Sequence, residues 1–386
     1  MSDSSAGRDA QRSRILPADP AALYRSRSSE IEEAIRAALY GGRYILGPCV
    51  EAFESEFASW LGAAAAVGLA NGTDALELCL RSLPLQPSSF IAIPAHTAVA
   101  TATAVARAGH APLFVDIDPR SFTLDPDALA HACEREPRIV ATIPVHLYGQ
   151  PCAMAAISAV AHKHGLLVVE DCSQAHGAMI NGRKVGTFGI AAAFSCYPTK
   201  NLGAIGDAGM AASSEPGLAD RIRLLRQYGW RERYVSDEVG MNSRLDEIQA
   251  AILSVQLRHL ETDNARRRSI AERYAADLRD LPLTLPPISA EPTGHAFHQY
   301  TVLTSQRDAL QRHLAERNIL TSILYPKPIH LMPAYADHAA RHDARCPVAE
   351  RVCSELLCLP MHPCLSDDDV GRVIEGLRSF FDTMPR

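Results

Sequence analysis

Residues 139–171, IVATIPVHLYGQPCAMAAISAVAHKHGLLVVED, contain two apolar runs separated by an amphipathic segment. The runs cover residues 139–145 and 166–169, and the segment between them covers 153–164. Short apolar runs that are continuous rather than alternating are typical of strands buried on both faces. Two such strands joined by a helix form a βαβ unit, in which the strands lie parallel. This stretch therefore predicts part of a parallel sheet.

The same alternation extends in both directions from this unit. Further apolar runs occur at residues 65–70, 90–93, 112–115 and 191–194, with amphipathic segments at 74–83, 98–108 and 125–134. Strands that alternate with helices along a chain build a mostly parallel sheet with helices on its faces. The predicted fold class is therefore α/β.

The chain divides into three parts by composition. Residues 1–20 are polar without apolar periodicity, which predicts a flexible tail. Residues 21–280 form the predicted large domain; it begins near a capping box of Ser29 and Glu32 and ends in a long helix from about residue 244 to 278. A proline-rich connector then leads into a smaller α/β domain, so the C-terminal domain is expected over 281–386.

Composition excludes several classes of protein. The 38 Lys and Arg residues against 44 Asp and Glu give a net charge of −6, which argues against a nucleic-acid binder. No apolar run reaches the ~18 residues that a membrane helix needs, and the first residues lack the apolar stretch of a secretory signal. The ten cysteines form no CxxC pair and no metal-ligand spacing. We therefore expect reduced thiols, no metal site and a cytoplasmic location.

Polar segments follow three of the predicted strands, and ligands of open parallel sheets bind at the carboxyl ends of strands. Residues 71–74, Asn-Gly-Thr-Asp, place a hydroxyl at a helix start, where free N–H groups suit a phosphate. A helix cap alone is the simpler interpretation of this segment. Glu170 and Asp171 end a buried run, and such an acid either holds a proton on a cofactor ring nitrogen or caps the next turn.

The third segment, residues 194–203, contains Lys200 among apolar and turn residues. A partly buried lysine has a lowered pKa and can form a Schiff base, although lysines beside Pro and Gly are usually exposed. A fourth segment, residues 240–247, offers Asn242 before the long helix, where it could cap the helix or meet an anion. A phosphate cradle, a ring-nitrogen acid and a Schiff-base lysine are together what pyridoxal phosphate requires.

Six motifs in a fixed order carry a family resemblance. They are NGTDAL at residue 71, PAHTAVAT at 94, PVHLYGQP at 144, VVEDCSQAHGA at 168, FSCYPTKNLGAIGDAG at 194 and GMNSRLDEIQAAIL at 240. From about residue 22 to 381 the sequence resembles the DegT/DnrJ/StrS family of sugar aminotransferases. That resemblance implies pyridoxal phosphate on the fold-type I aminotransferase scaffold.

The resemblance also implies residue roles. Lys200 would be the Schiff-base lysine and proton shuttle, and Asp171 would pair with the pyridine nitrogen. Gln174 would contact the ring hydroxyl. The phosphate would be held by Gly72, Thr73 and Ser195, and by Asn242 of the neighbouring subunit in a homodimer with shared active sites. Tyr325 and His330 lie in a stretch, YPKPIHLMPAY, like one that lines the family's sugar pocket, although a packed or surface histidine explains His330 equally well.

Two positions depart from the family pattern. Relatives carry an aromatic residue at the position of Ala98, where it stacks on the cofactor ring, and often histidine at the position of Leu324. We expect another side chain to cover the ring, with His96 as the candidate.

The implied reaction moves an amino group from glutamate or glutamine, through pyridoxamine phosphate, to a keto group of a nucleotide-linked deoxysugar. Gly206 and Asp207 in KNLGAIGDAG resemble members that act on 3-keto rather than 4-keto sugars. Two alternatives remain: a sugar dehydratase, whose members carry histidine in place of the lysine at position 200, and a non-catalytic regulatory protein on the same fold.

Overall fold

The computed structural model describes residues 13–287, 294–341 and 344–383. A seven-stranded sheet forms its centre, in the order β1-β9-β8-β5-β4-β2-β3. The strands of this sheet are β1 (Ala65–Leu69), β2 (Phe90–Pro94), β3 (Ala111–Val115), β4 (Ile139–Thr142), β5 (Leu167–Asp171), β8 (Ala191–Ser195) and β9 (Gly209–Ser213). Two short hairpins lie outside it, namely β6 (Met179–Ile180) with β7 (Arg183–Lys184), and β10 (Trp230–Glu232) with β11 (Val235–Ser236).

Helices connect and flank these strands. In chain order they are α1 (Pro20–Ser26), α2 (Ser28–Tyr40), α3 (Pro48–Leu61), α4 (Gly72–Arg81), α5 (Val99–Arg107), α6 (Pro126–Arg135), α7 (Met154–His164), α8 (Pro216–Leu225) and α9 (Glu247–Leu278). One face of the sheet packs against α4, α5 and α8, and the other face packs against α3 and α9. This arrangement confirms the predicted fold class, and the six predicted strands are all present.

Strand β9 is the element of the sheet that the sequence did not predict. It pairs antiparallel with both β1 and β8, while the remaining neighbours in the sheet are parallel. Its sequence, GMAAS, lacks the β-branched residues that favour strands, so it is buried in the sheet by tertiary packing rather than by propensity.

The C-terminal part contains a second, smaller sheet. Strands β12 (Tyr300–Leu303) and β13 (Leu356–Leu359) pair antiparallel. The helices of this part are α10 (Arg307–Glu316), α11 (Ala336–Arg341), α12 (Pro347–Glu355) and α13 (Asp367–Asp382). The sequence predicts a helix near residues 348–357, but its last two residues begin strand β13, because a short apolar run fits either element. The C-terminal half of α9 packs into this part through Ile270 and Tyr274.

The N-terminal segment differs from two expectations. Residues 1–12 of the predicted tail lie outside the described residues, but Ile15 is buried and pairs with the backbone around Ile319. This part of the predicted tail is therefore packed. The predicted capping box is wrong: α2 begins at Ser28, and its N-cap residue Arg27 makes no side-chain capping bond. Among the described residues, no helix is long and apolar enough to cross a membrane.

Candidate active site

A cavity of about 260 Å³ lies at the carboxyl edge of the sheet. The loops after β1, β2, β5 and β8 all open into it, because parallel strands end at the same edge. It brings together six of the residues predicted from sequence: Gly72, Thr73, Asp171, Gln174, Ser195 and Lys200. Their proximity follows from topology, since they come from three separate motifs.

The start of α4 forms the end of the cavity that suits a phosphate. Asn71 caps this helix, because its side-chain oxygen accepts a bond from the Asp74 N–H at 2.8 Å. The first N–H groups of a helix have no partner within the helix, so those of Gly72 and Thr73 are available to an anion. A Cβ at Gly72 would lie 2.6 Å from the Ser195 Cβ. Glycine is therefore required for α4 to approach β8 this closely.

Lys200 lies in a tight loop between β8 and β9. The loop is closed by a bond from the Ala204 N–H to the Cys196 carbonyl at 2.8 Å, and the Lys200 N–H donates to the Tyr197 carbonyl at the same distance. The Lys200 side chain is partly exposed, because it borders the open cavity. Loss of hydration lowers the pKa of Lys200 to about 8, while the nearby Asp171 carboxylate opposes that shift. The amine therefore exchanges its proton near neutral pH.

Asp171 is held by two donors and faces the same cavity. Its Oδ2 accepts a bond from Thr101 Oγ1 at 3.0 Å, and its Oδ1 accepts one from the Ser173 N–H at 3.1 Å. Because each carboxylate oxygen can accept two bonds, acceptor positions remain for a ligand. Thr101 was not among the residues predicted from the sequence, although its place in the motif PAHTAVAT was an available signal.

Gln174 has one amide orientation that satisfies its neighbours. Its Oε1 accepts the Tyr148 backbone N–H at 2.7 Å, and its Nε2 donates to the Tyr325 hydroxyl at 3.1 Å. A backbone N–H can only donate, so the oxygen must face Tyr148. The amide nitrogen consequently keeps one further N–H for the cavity.

Glu170, next to Asp171, lies on the opposite side of β5 and has a different environment. Its two oxygens accept bonds from the backbone N–H groups of Gly186, Phe188 and Gly189 at 2.7–2.8 Å, and from His146 Nε2 at 3.0 Å. His146 donates through Nε2, because its Nδ1 accepts the Cys152 N–H. These bonds lower the pKa of Glu170 despite its burial. His146, Glu170 and Cys172 lie close enough for a metal site, but the carboxylate is already saturated by N–H donors.

Three predicted residues lie outside the cavity lining. Tyr325 adjoins it through Gln174, as described above. Asn242 is exposed, pairs through its backbone with Gln227 and is not among the residues that line the cavity of its own chain. His330 is buried with its Nε2 3.1 Å from Glu350 Oε1. The roles assigned to these residues stay predictions.

His96, the side chain expected to cover the cofactor ring in place of Ala98, does not lie in the cavity wall. Ala98 and Thr97 line the cavity, but the neighbouring His96 does not. Both ring nitrogens of His96 are engaged elsewhere, with Tyr148 and Cys353. The hypothesis that His96 covers a cofactor ring therefore has no support in this geometry. The cavity lining also includes Tyr197, which was not predicted from the sequence, and Asp207, which the sequence analysis linked only to the 3-keto resemblance.

Comparison with known proteins identifies the family of this chain. The model of the DegT/DnrJ/EryC1/StrS aminotransferase family matches residues 25–378. The chain belongs to this family. The match covers most of the chain and includes every motif on which the resemblance rested.

Similar proteins include two curated relatives and one solved structure. The erythromycin biosynthesis sensory transduction protein EryC1 of Saccharopolyspora erythraea is 44% identical, covering 94% of this chain and 98% of the relative. The dTDP-3-amino-3,4,6-trideoxy-alpha-D-glucose transaminase of Streptomyces venezuelae is 42% identical, covering 96% and 97%. The crystal structure of S. venezuelae DesV in complex with a ketimine intermediate superposes with a TM-score of 0.92 at 41% identity, covering 97% and 100%.

Proposed function

We propose that this protein is a pyridoxal-phosphate-dependent aminotransferase that acts on the 3-keto group of a nucleotide-linked deoxysugar, with glutamate or glutamine as amino donor. The observation that carries the proposal is the cavity shared by the Lys200 amine, the Asp171 carboxylate and the first turn of α4. Family membership supports the reaction class.

The residues of the cavity fit pyridoxal phosphate. The amides of Gly72 and Thr73 and the Ser195 hydroxyl would hold its phosphate. They lie side by side at one end of the cavity because Gly72 has no Cβ, which would lie 2.6 Å from the Ser195 Cβ. Asp171 would hold the ring nitrogen, and the free N–H of Gln174 would meet the ring oxygen. When bound, the cofactor supplies an electron sink that permits removal of a proton from carbon.

Lys200 would move that proton. With a pKa of about 8, its amine is partly unprotonated under ordinary conditions and can accept a proton at Nζ without strong base. The same amine, once protonated, can return the proton to a second carbon as a general acid. One residue therefore serves donor and acceptor halves of the exchange, which predicts ping-pong kinetics.

The preference for a 3-keto sugar rests on two supports. The S. venezuelae relative is named for a 3-amino sugar, and Asp207, from the segment that resembles 3-keto members, lines the cavity here. Parallel assays with 3-keto and 4-keto dTDP-sugars, with glutamate as donor, test this preference. We expect amino-sugar product from the 3-keto compound, and product from the 4-keto compound alone would overturn the assignment.

The proposal includes a homodimer in the cytoplasm. Large apolar side chains are exposed on the single chain, including Tyr40, Tyr234 and Val239, and Asn242 is free to reach a second copy. Burial of such residues against a partner is favourable. All ten cysteines are free, which suits a reducing compartment.

A regulatory role is the second candidate, because the name of one relative at 44% identity describes sensory transduction. The presence of Lys200 rather than histidine argues against the dehydratase alternative. A strain whose gene encodes Lys200→Ala separates catalysis from regulation. If the strain loses both the amino sugar and the biological effect of the protein, catalysis is supported. If the biological effect is kept without the amino sugar, regulation is supported.

A further inference from the structure

A chain of buried hydrogen bonds connects the cavity to the C-terminal part of the molecule. His96 Nε2 lies 2.7 Å from the Tyr148 hydroxyl, and His96 Nδ1 lies 3.1 Å from Cys353 Sγ. The Tyr148 hydroxyl also contacts the Leu324 carbonyl oxygen. All of these side chains are almost fully buried, with exposed fractions of 1% for His96 and 2% for Tyr148 and Cys353.

The proton positions in this chain follow from chemistry. A carbonyl oxygen only accepts, so the Tyr148 hydroxyl uses its single proton to donate to Leu324. The same hydroxyl must therefore accept from His96, which places the imidazole proton on Nε2. Burial lowers the pKa of His96 to about 4 and raises that of Cys353 to about 12. The neutral imidazole then accepts the thiol proton at Nδ1, and each bond has one direction.

Tyr148 connects this chain to Gln174 by a second route. Its backbone N–H donates to Gln174 Oε1, and its hydroxyl fixes Leu324, whose neighbour Tyr325 accepts the Gln174 Nε2–H. One of the two groups that bond the Gln174 amide therefore belongs to Tyr148, and the other belongs to the residue after the one that the Tyr148 hydroxyl binds. The backbone of Tyr148 is in the left-handed region with φ of 59°, so the residue is not held in place by local preference.

We infer that His96 and Tyr148 are positioning residues, which fix the Gln174 amide and the Leu324–Tyr325 segment so that Gln174 presents its remaining N–H to the cofactor ring oxygen. This inference rests on the proposed function. It assigns a role to His96 different from covering the ring, and it explains why the motif at residue 94 and the motif at residue 144 belong to one site. Neither residue touches the reacting atoms.

The first test compares Tyr148→Phe with Tyr274→Phe. Tyr274 is a matched control, because it is also buried and its hydroxyl also donates to a backbone carbonyl, that of Pro360 at 3.1 Å. It packs in the C-terminal cluster and not at the cavity. Each purified protein is titrated with pyridoxal phosphate, and the Kd and the visible absorbance maximum are measured.

We expect Tyr148→Phe to raise the Kd about fivefold to tenfold, the effect of losing one well-placed hydrogen bond, and to shift the absorbance maximum. Tyr274→Phe should keep the native Kd and spectrum. If Tyr148→Phe binds and absorbs like Tyr274→Phe, the inference is overturned. If the native protein itself binds no pyridoxal phosphate, the proposed function fails first, so the two failures are distinguishable.

A pair of substitutions at His96 repeats the test independently of how well Tyr148→Phe folds. His96→Gln retains an N–H donor for Tyr148, whereas His96→Leu retains none. We expect His96→Leu to reproduce the weaker binding and shifted spectrum, and His96→Gln to restore binding to within about threefold of native. Equal behaviour of the two variants would contradict the positioning role.

Discussion

Two acids occupy successive positions at the end of β5, and their surroundings differ completely. Glu170 faces away from the cavity and accepts bonds from four N–H groups. Asp171 faces the cavity and accepts two, one from Thr101 and one from Ser173. Alternation along the strand sends the two side chains to opposite faces. The oxygens of Glu170 are therefore saturated by the fold, whereas those of Asp171 keep acceptor positions for a ligand.

Loss of the Lys200 amine, which shares the cavity with Asp171, should lower activity more than any other change. Lys200→Ala removes the amine that moves the proton, so transamination should fall at least about 10³-fold while the fold is retained. Lys184→Ala is the control, because this lysine packs over the Trp60 ring away from the cavity. Initial rates with glutamate and keto sugar measure both. Substantial activity in Lys200→Ala would contradict the assignment.

The two acids are next exchanged for their amides. Asp171→Asn should lower kcat about 10²-fold or more with a near-native Tm, because it removes a charge from the cavity without changing size. Glu170→Gln should lower the Tm and leave kcat near native, since its amide NH₂ would face backbone N–H donors that need an acceptor. We expect that change to cost about 3 kcal/mol of the free energy of unfolding, while activity per folded molecule is kept. Thermal unfolding and kcat are measured for both variants. Equal effects of the two substitutions on Tm and kcat would contradict the different roles of Glu170 and Asp171.

The pH dependence of cofactor capture reports the effect of the Asp171 charge on Lys200. Only the unprotonated amine attacks a carbonyl, so the rate at which the protein captures pyridoxal phosphate should rise with pH about a midpoint near 8, the pKa of Lys200. The negative charge of Asp171 raises that pKa, so Asp171→Asn should move the midpoint to lower pH. Stopped-flow absorbance measures the rate. An upward shift in Asp171→Asn would contradict the electrostatic coupling.

The Thr101 hydroxyl supports Asp171, and its loss should lower kcat only modestly. Thr101→Val removes one donor from Asp171 and should lower kcat about threefold to tenfold. Thr142→Val is a matched control, because Thr142 is equally buried and its hydroxyl bonds to the Ala92 carbonyl within the sheet. The control should lose stability without a specific loss of kcat. Identical kcat values would indicate that Asp171 does not need Thr101.

Much of the fold was predictable because parallel strands leave a simple signal. The continuous apolar runs located β5 and its neighbours to within a few residues. Strand β9 could not be found in this way, because GMAAS carries no strand signal and is placed by its neighbours. The helix predicted near residues 348–357 runs two residues into strand β13 for a related reason: LLCL is apolar but too short to show a period.

The cavity was predictable only at the residues that motifs carry. Topology brings Lys200, Asp171 and Gly72 to one edge, as the strand-end argument expects. The different environments of Glu170 and Asp171 could not be predicted from their adjacent positions in the sequence, because they depend on N–H groups of residues 186–189. The hydrogen bonds of His96 likewise depend on Cys353, which lies 257 positions away. Contacts of this separation have no local signature.

The assignment of Lys200 is tested by trapping the cofactor on the protein. The protein is incubated with pyridoxal phosphate, reduced with borohydride and digested, and the modified peptide is identified by mass spectrometry. The chain has three other lysines, Lys163, Lys184 and Lys327, so the position is unambiguous. We expect the adduct on Lys200, and its loss when glutamate is added before reduction. An adduct confined to another lysine, or none at all, would contradict the assignment of Lys200.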